Sequence, residues 1–311
     1  MCNSYLGYYG PKWEEKIQNK DNPNFWKYGV ANLVFLDLIR KRQKILDIGC
    51  GTGGLTIFLA KHAQPDYIVG IDLVKSMIKV AKQRAFQEGL SHKTDFIVCD
   101  GRHLPFRREC FHSLVSRGDA FVFLVPQKVT LAEFKKVLKN EATLIIEQDN
   151  VQWKPGRSIF RGFERMADGR VAYSLEEFDD VRNHTKISYI LDPHSTISKR
   201  ILKDKEFVQA GRLKRKFPII RIKTETIETR QSAVTHWPTV DEMRTLLAEE
   251  GYEAIEVFGD GLLMSLLLNG DQRVIEAMKK QPELFFEIEK KLIGFIDPAN
   301  APTIILKAMV S

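Results

Sequence analysis

Three acids at or near the ends of apolar runs, the first of them beside a glycine-rich bend, have the types and spacing to do chemistry. The run Ile45-Leu46-Asp47-Ile48 passes directly into Gly49-Cys50-Gly51-Thr52-Gly53-Gly54, a buried strand feeding a tight turn and then a helix over Thr52 to His62. Glycine tolerates positive φ and has no Cβ, so the turn can lay its amides against a nucleotide-like ligand. Gly49, Gly51 and Gly54 also satisfy the dinucleotide pattern G-x-G-x-x-G, a weak signal alone. Asp47 separates the alternatives. A pyrophosphate sits at the positive N-terminal end of a helix, and a carboxylate at the mouth of the turn would repel it. A ligand with an ammonium and no phosphate would be attracted. Tyr67 to Ile71 then ends in Asp72, whose two acceptor oxygens suit a vicinal diol, and Phe96 to Cys99 ends in Asp100-Gly101-Arg102.

S-adenosylmethionine has that charge pattern: an adenosine, a sulfonium, an α-amine and no phosphate. Asp47, Gly49, Gly51 and Gly53 match the first motif of the class I S-adenosylmethionine-dependent methyltransferases, D-x-G-x-G-x-G, and the chain resembles that family. The resemblance implies that Asp47, Gly49, Cys50, Gly51, Gly53 and the backbone near Arg117 meet the methionine part. It also implies that Asp72 meets the ribose, that Asp100-Gly101-Arg102 meets the adenine amine, and that Leu73, Met77 and Leu104 sandwich the ring. Each acid has a second reading as a helix cap or turn-closing residue.

Ligands of open α/β sheets lie outside the carboxyl ends of the strands. That nominates Ser116-Arg117-Gly118-Asp119 after strand four and Glu147-Gln148-Asp149-Asn150 after strand five. Methyl transfer is an in-line displacement that needs alignment and, for some acceptors, proton removal, so Asp119, Glu147 and Asp149 are the candidate bases or acceptor-positioning groups. Strand four lacks the Asn/Asp-Pro-Pro-Tyr loop of the amino-methyltransferases, and the chain lacks the paired-glutamate loop of arginine methyltransferases and the cysteine nucleophile of cytosine-5 enzymes. The layout is most similar to the ubiquinone/menaquinone-biosynthesis-like small-molecule group, which implies an O, N or C acceptor on a small molecule.

The elements that must position these groups alternate as strand and helix from Lys44 to Asn150, resume at Thr239 and end in a strand over Thr303 to Val310. This predicts an α/β fold, a Rossmann-like seven-stranded doubly wound sheet with an antiparallel last strand, and an α+β insertion after strand five. The expected organisation is a helical or lid segment at 1–43, a cofactor-binding domain at 44–150 and 237–311, and a substrate-covering insertion at 151–236. Within the insertion, Ser158 to Met166 and Leu175 to Val181 read as helices, and Lys186 to Leu191 and Ile219 to Thr229 as strands. Tyr8 and Tyr9 suggest a lid over the cofactor, while Trp26, Val30, Val34 and Leu38 recur at helical spacing and suit either a lid or an ordinary core face.

With 311 residues and 44% hydrophobic content the chain can bury a large core. No apolar run reaches membrane-spanning length, the first residues lack a signal-peptide core, and Cys2, Cys50, Cys99 and Cys110 form no C-x-x-C pair, so a soluble cytoplasmic protein without a metal is expected. The net charge of +7 includes a block at 199–223 with ten Lys and Arg against two acids. It reads as a solvated face or, in an alternative function, as the contact of an RNA or protein methyltransferase with phosphates or acidic surface. A non-catalytic regulator that binds S-adenosylmethionine would keep Asp47, Asp72 and Asp100 and need no acceptor pocket.

Overall fold

The computed structural model describes residues 17–20, 23–150, 158–165, 171–180, 183–191, 228–229, 236–261 and 272–311. Contacts divide the chain into two compact units, one of residues 1–153 and 234–311 and one of residues 154–233. The first unit begins with α1 (Pro23–Leu38) and then alternates β1 (Lys44–Ile48), α2 (Gly54–His62), β2 (Tyr67–Asp72), α3 (Lys75–Gln87), β3 (Thr94–Val98), β4 (Phe111–Ser116), α4 (Gln127–Val137) and β5 (Leu138–Asp149). It resumes after the second unit with α5 (Val240–Glu249), β10 (Tyr252–Asp260), α6 (Gln272–Lys280), α7 (Pro282–Leu292) and β11 (Thr303–Val310).

The strands form one seven-stranded sheet in the order β10-β11-β5-β4-β1-β2-β3. β1 to β5 pair in parallel, and β11 runs antiparallel between β5 and β10. The core strands are apolar on both faces, as a sheet covered on both sides requires. Ile45, Ile68, Val115, Ile145 and Ile305 pack with residues of α1, α2, α3 and α7. Leu46, Leu114, Leu144, Ile146 and Ile304 pack on the other face with residues of α4 and α5.

Helix α1 belongs to the core. Trp26 is 4% exposed and packs edge-on against Phe285 of α7, with ring centroids 4.9 Å apart, and Val30 and Val34 are buried behind it. The core reading of Trp26, Val30 and Val34 therefore prevails over the lid. Tyr8 and Tyr9 lie outside the described residues.

The second unit departs from the sequence expectation. Ser158–Arg165 and Val171–Asp180 are strands β6 and β7, not helices, and with β8 (Asn183–Leu191) and β9 (Glu228–Thr229) they make a four-stranded antiparallel sheet. Ile159, Phe160 and Phe163 mimic a helical spacing, but each of the eight residues of β6 pairs with one of β7, and cross-strand pairing outweighs so short a periodicity. The strand expected over Lys186 to Leu191 lies in β8. Of the strand expected over Ile219 to Thr229 only β9 falls among the described residues, and the basic block at 199–223 lies outside them. Among the described residues no helix is long and apolar enough to cross a membrane.

Candidate functional site

The glycine turn follows β1 and has positive φ at Gly49 (69°), Gly51 (55°) and Gly53 (79°). Two of these glycines do different work. A Cβ on Gly49 would stand 2.3 Å from the Ala120 Cβ, so the turn packs there against the segment after β4, whereas a Cβ on Gly51 would meet nothing within 4 Å. Gly51 thus presents bare backbone to open space at the strand ends. Cys50 is buried inside the turn, a filler rather than an exposed thiol. Arg84 of α3 donates to the Thr52 carbonyl at 2.8 Å and braces the turn from outside, a contact with no local signal in the sequence.

Asp47 corrects the sequence picture. It does not stand at the mouth of the turn but lies beneath it, 1% exposed, accepting a 2.6 Å bond from the Thr56 hydroxyl of α2. Burial pushes its pKa up to about 6, opposed by the Thr56 bond and by the Arg117 charge, so the carboxylate is still mostly ionised at neutral pH. Its alternation within β1 explains the position: Asp47 pairs in register with Gly70 and Val115, inside the sheet.

Asp72 is at the lip of the site. Its Oδ2 accepts from the Gly51 amide at 2.9 Å and its Oδ1 from the Val74 amide at 2.8 Å, so it both fixes the turn and caps the approach to α3. Burial raises its pKa, opposed by those two bonds. Each oxygen retains a lone pair for a further donor. Asp100 is engaged by its own neighbour: the Arg102 guanidinium donates to Oδ2 at 2.7 Å through Nη2 and to Oδ1 at 3.0 Å through Nε, and this bond chiefly lowers the Asp100 pKa. Gly101 is tightly packed: a Cβ there would come 3.0 Å from Leu124 Cδ1 and 3.1 Å from Ile48 Cγ2. Of the apolar flank, Leu73 is 49% exposed while Met77 and Leu104 are buried; Val98, unforeseen in the sequence, is 48% exposed beside Asp100.

Asp119, Glu147 and Asp149 come together around a lysine that the sequence reading did not name. Lys27 of α1 places Nζ 2.8 Å from Asp149 Oδ1, 3.2 Å from Glu147 Oε1 and 3.9 Å from Asp119 Oδ2. Glu147 also accepts from the Gly118 amide at 2.6 Å, and Asp119 from the Asp149 amide at 2.7 Å. Burial alone would lower the Lys27 pKa, but Asp149, Glu147 and Asp119 together carry it well above the usual lysine value. Burial, and next the Asp149 charge, push Asp119 up to about 7. Its φ of 62° is left-handed, a conformation aspartate tolerates better than most residues. A signal for Lys27 was present: it shares a helical stripe with Ala31 and Phe35, both 0% exposed, and a lysine on an apolar stripe needs a buried partner.

Arg117 lies between the two clusters. Its guanidinium stacks on the Tyr28 ring at 4.5 Å and bonds to Asn32 Oδ1. Its Nη2 would be 3.1 Å from a Cβ on Gly54, the first residue of α2. Burial lowers its pKa, against the raising effect of Tyr28, Glu147 and Asp47. A guanidinium beside the first turn of a helix makes a place for a carboxylate.

The profile of a methyltransferase-domain family matches residues 45–141, the stretch that holds the glycine turn and all three strand-end acids. A ubiquinone/menaquinone biosynthesis C-methyltransferase of Cupriavidus pinatubonensis is 31% identical over 118 residues, 38% of this chain and 47% of that protein. A demethylmenaquinone methyltransferase of Lactiplantibacillus plantarum is 35% identical over 102 residues, 32% of this chain and 43% of that protein. The chain thus spans about half the length of the curated relatives it matches. Two solved structures share the fold across nearly the whole chain. The CcbJ methyltransferase of Streptomyces caelestis has a TM-score of 0.56 at 12% identity, covering 91% of this chain and 95% of that one. An S-adenosylmethionine-dependent methyltransferase of Clostridium acetobutylicum has a TM-score of 0.54 at 13% identity, covering 92% of each. Residues 45–141 thus match a methyltransferase domain, and the chain shares the fold of solved S-adenosylmethionine-dependent methyltransferases.

Proposed function

We propose that the protein transfers a methyl group from S-adenosylmethionine to an O, N or C acceptor on a small molecule. The observation that carries this reading is the turn at Gly51, where uncovered backbone faces open space while its amide is held by Asp72. A ligand can approach that backbone to contact distance, and the acid beside it keeps acceptor capacity for ribose hydroxyls. The residues also fit the ends of the cofactor. Arg117 and the N-terminus of α2 suit the methionine carboxylate, the buried charge of Asp47 suits the cationic amino group and sulfonium through space, and Leu73 and Val98 offer apolar surface for a purine. Asp100 would meet the adenine amine through the lone pairs that Arg102 leaves.

The bound cofactor supplies an electrophilic methyl group. What this chain adds is alignment, exclusion of water at the buried rim between Arg117 and Glu147, and a carboxylate in Asp119 able to take a proton near neutral pH. Similarity to quinone-biosynthesis methyltransferases over the cofactor domain supports a small-molecule acceptor. Calorimetry with S-adenosylhomocysteine and a radiolabelled methyl-transfer assay on fractionated cell extract test the proposal. Binding in the micromolar range with label in the metabolite fraction is expected. Label confined to RNA or protein would move the acceptor to a macromolecule, and binding without any transfer would favour a regulator.

A further inference from the structure

Resting on the methyltransferase reading, the rim beyond the cofactor turn says what kind of acceptor it takes. Four buried side-chain atoms among the described residues have no hydrogen-bond partner: Ser116 Oγ, Glu147 Oε1, Gln148 Oε1 and Thr303 Oγ1. All are oxygens, and all stand where β4 and β5 end and β11 begins. Buried oxygens without partners are costly; by register Ser116 and Gln148 lie on one face of the sheet, and Glu147 and Thr303 share the other.

Register shows which of them share a surface. Asp260 pairs with Thr303, and Thr303 with Asp149, so these three side chains lie on one face in a row across β10, β11 and β5. Glu147, two residues before Asp149, points the same way. Glu289 of α7 joins the far end, where the Gly261 amide donates both to Asp260 at 2.6 Å and to Glu289 at 3.1 Å. Thr303 is 1% exposed and stands unpartnered between two carboxyl groups. Lys27 reaches only the near end, and its 3.2 Å contact with Glu147 Oε1 has angles outside hydrogen bonding, so it neutralises charge there without supplying that oxygen a donor. The row opens to solvent at Asp149, 58% exposed.

We propose that this row, Glu147, Asp149 and Thr303 with Asp119 and Asp260 beside them, is a binding site for a protonated amine carried by the methyl acceptor. An ammonium brings positive charge to an acid-rich face and N–H donors to Glu147 Oε1 and Thr303 Oγ1, the two oxygens of the row that lack a partner. A metal ion would meet the charge but not the geometry: among the described residues no group of His, Cys, Asp or Glu is arranged to hold one. A carboxylate or phosphate acceptor would meet the acids at the open end of the row, Glu147 and Asp149, and be repelled.

The test uses propylammonium, with propanol and propionate as uncharged and anionic controls of similar size, titrated into the full chain with and without S-adenosylhomocysteine. Thermal shift and calorimetry are the readouts. Saturable stabilisation by propylammonium is expected, at least tenfold tighter than either control, and weakened about tenfold by Glu147→Gln and by Asp149→Asn. Asp149 is exposed, so the second variant answers the question if the first does not fold. Equal response to amine and alcohol, preference for propionate, or an amine response unchanged in a folded variant would overturn the site. S-adenosylhomocysteine binding on the same samples reports the cofactor reading separately: its absence with the amine response intact sinks the methyltransferase assignment and leaves the ammonium site standing. Cofactor-analogue binding with no amine response does the reverse.

Discussion

Lys27 Nζ and Asp149 Oδ1 meet at 2.8 Å across 122 residues of sequence, tying α1 to the end of β5. Lys27 is only 9% exposed and is shared with Glu147 and Asp119, so it holds three carboxylates that would otherwise repel one another. Removing one partner of a buried ionic group leaves uncompensated charge. Lys27→Met is expected to cost about 3 kcal/mol at neutral pH, measured by urea denaturation. The loss should shrink toward pH 5, where Asp119, pushed up to about 7 by burial, takes up a proton instead. A loss that is the same at both pH values would show that the lysine acts through packing.

The glycine turn gives a paired prediction. Gly49→Ala meets both a φ of 69° and a 2.3 Å clash with Ala120, so it is expected to destabilise the fold by about 3 kcal/mol or more. Gly51→Ala carries the strained φ alone, about 1 kcal/mol, yet its methyl group enters the space proposed for the cofactor. Thermal denaturation and S-adenosylhomocysteine calorimetry on both variants should separate them. Gly51→Ala should keep most of its stability and lose most of its affinity.

Asp72→Ala is expected to weaken S-adenosylmethionine binding by about 1.5–3 kcal/mol, the range for charge-assisted hydrogen bonds. The same change frees the Gly51 and Val74 amides that Asp72 now holds, so Asp72→Asn is the sharper probe, since an amide oxygen can still accept from one of them. Unchanged calorimetric affinity in both variants would remove Asp72 from the ribose site.

Arg117→Lys should not rescue Arg117→Met. A lysine keeps the charge but loses the planar stack on Tyr28 and the fork that reaches Asn32. Both variants are expected to bind S-adenosylhomocysteine about tenfold more weakly, roughly 1.4 kcal/mol. Full affinity in Arg117→Lys would mean that only charge matters at this position.

Two buried carboxyl groups contribute a pH dependence of stability near and above neutral pH. Burial raises Asp119 up to about 7, and burial together with Glu289 raises Asp260 up to about 8. The unfolded chain releases these protons near pH 4, so between about pH 4 and pH 8 the folded state binds more protons than the unfolded one. The stability they contribute is complete below that window and is lost as pH rises through it. Asp260→Asn, whose side-chain oxygen can still accept from the Gly261 amide, should raise the melting temperature at pH 8 and flatten the upper part of the slope. A slope unchanged by that substitution would place the linked protons elsewhere.

Local sequence determined the cofactor side of this protein. Apolar runs of strand length, the glycines of the turn and the acids that end the second and third runs are short-range features, and they fixed β1 to β5, the turn and the positions of Asp72 and Asp100. The same local logic failed where contacts between strands decide: β6 and β7 carry helix-like spacing and are strands because they pair with each other and with β8. It also misplaced Asp47, since a strand residue's depth depends on what covers the sheet, and here Thr56 and α2 cover it. The proposed acceptor side belongs to the tertiary structure. Lys27, Asp119, Glu147 and Asp149 come from three separate stretches of chain, and Thr303 and Asp260 join them only because β11 returns antiparallel between β5 and β10. No periodicity encodes such a meeting, because it is set by which strand ends share a rim and which charges can be buried together.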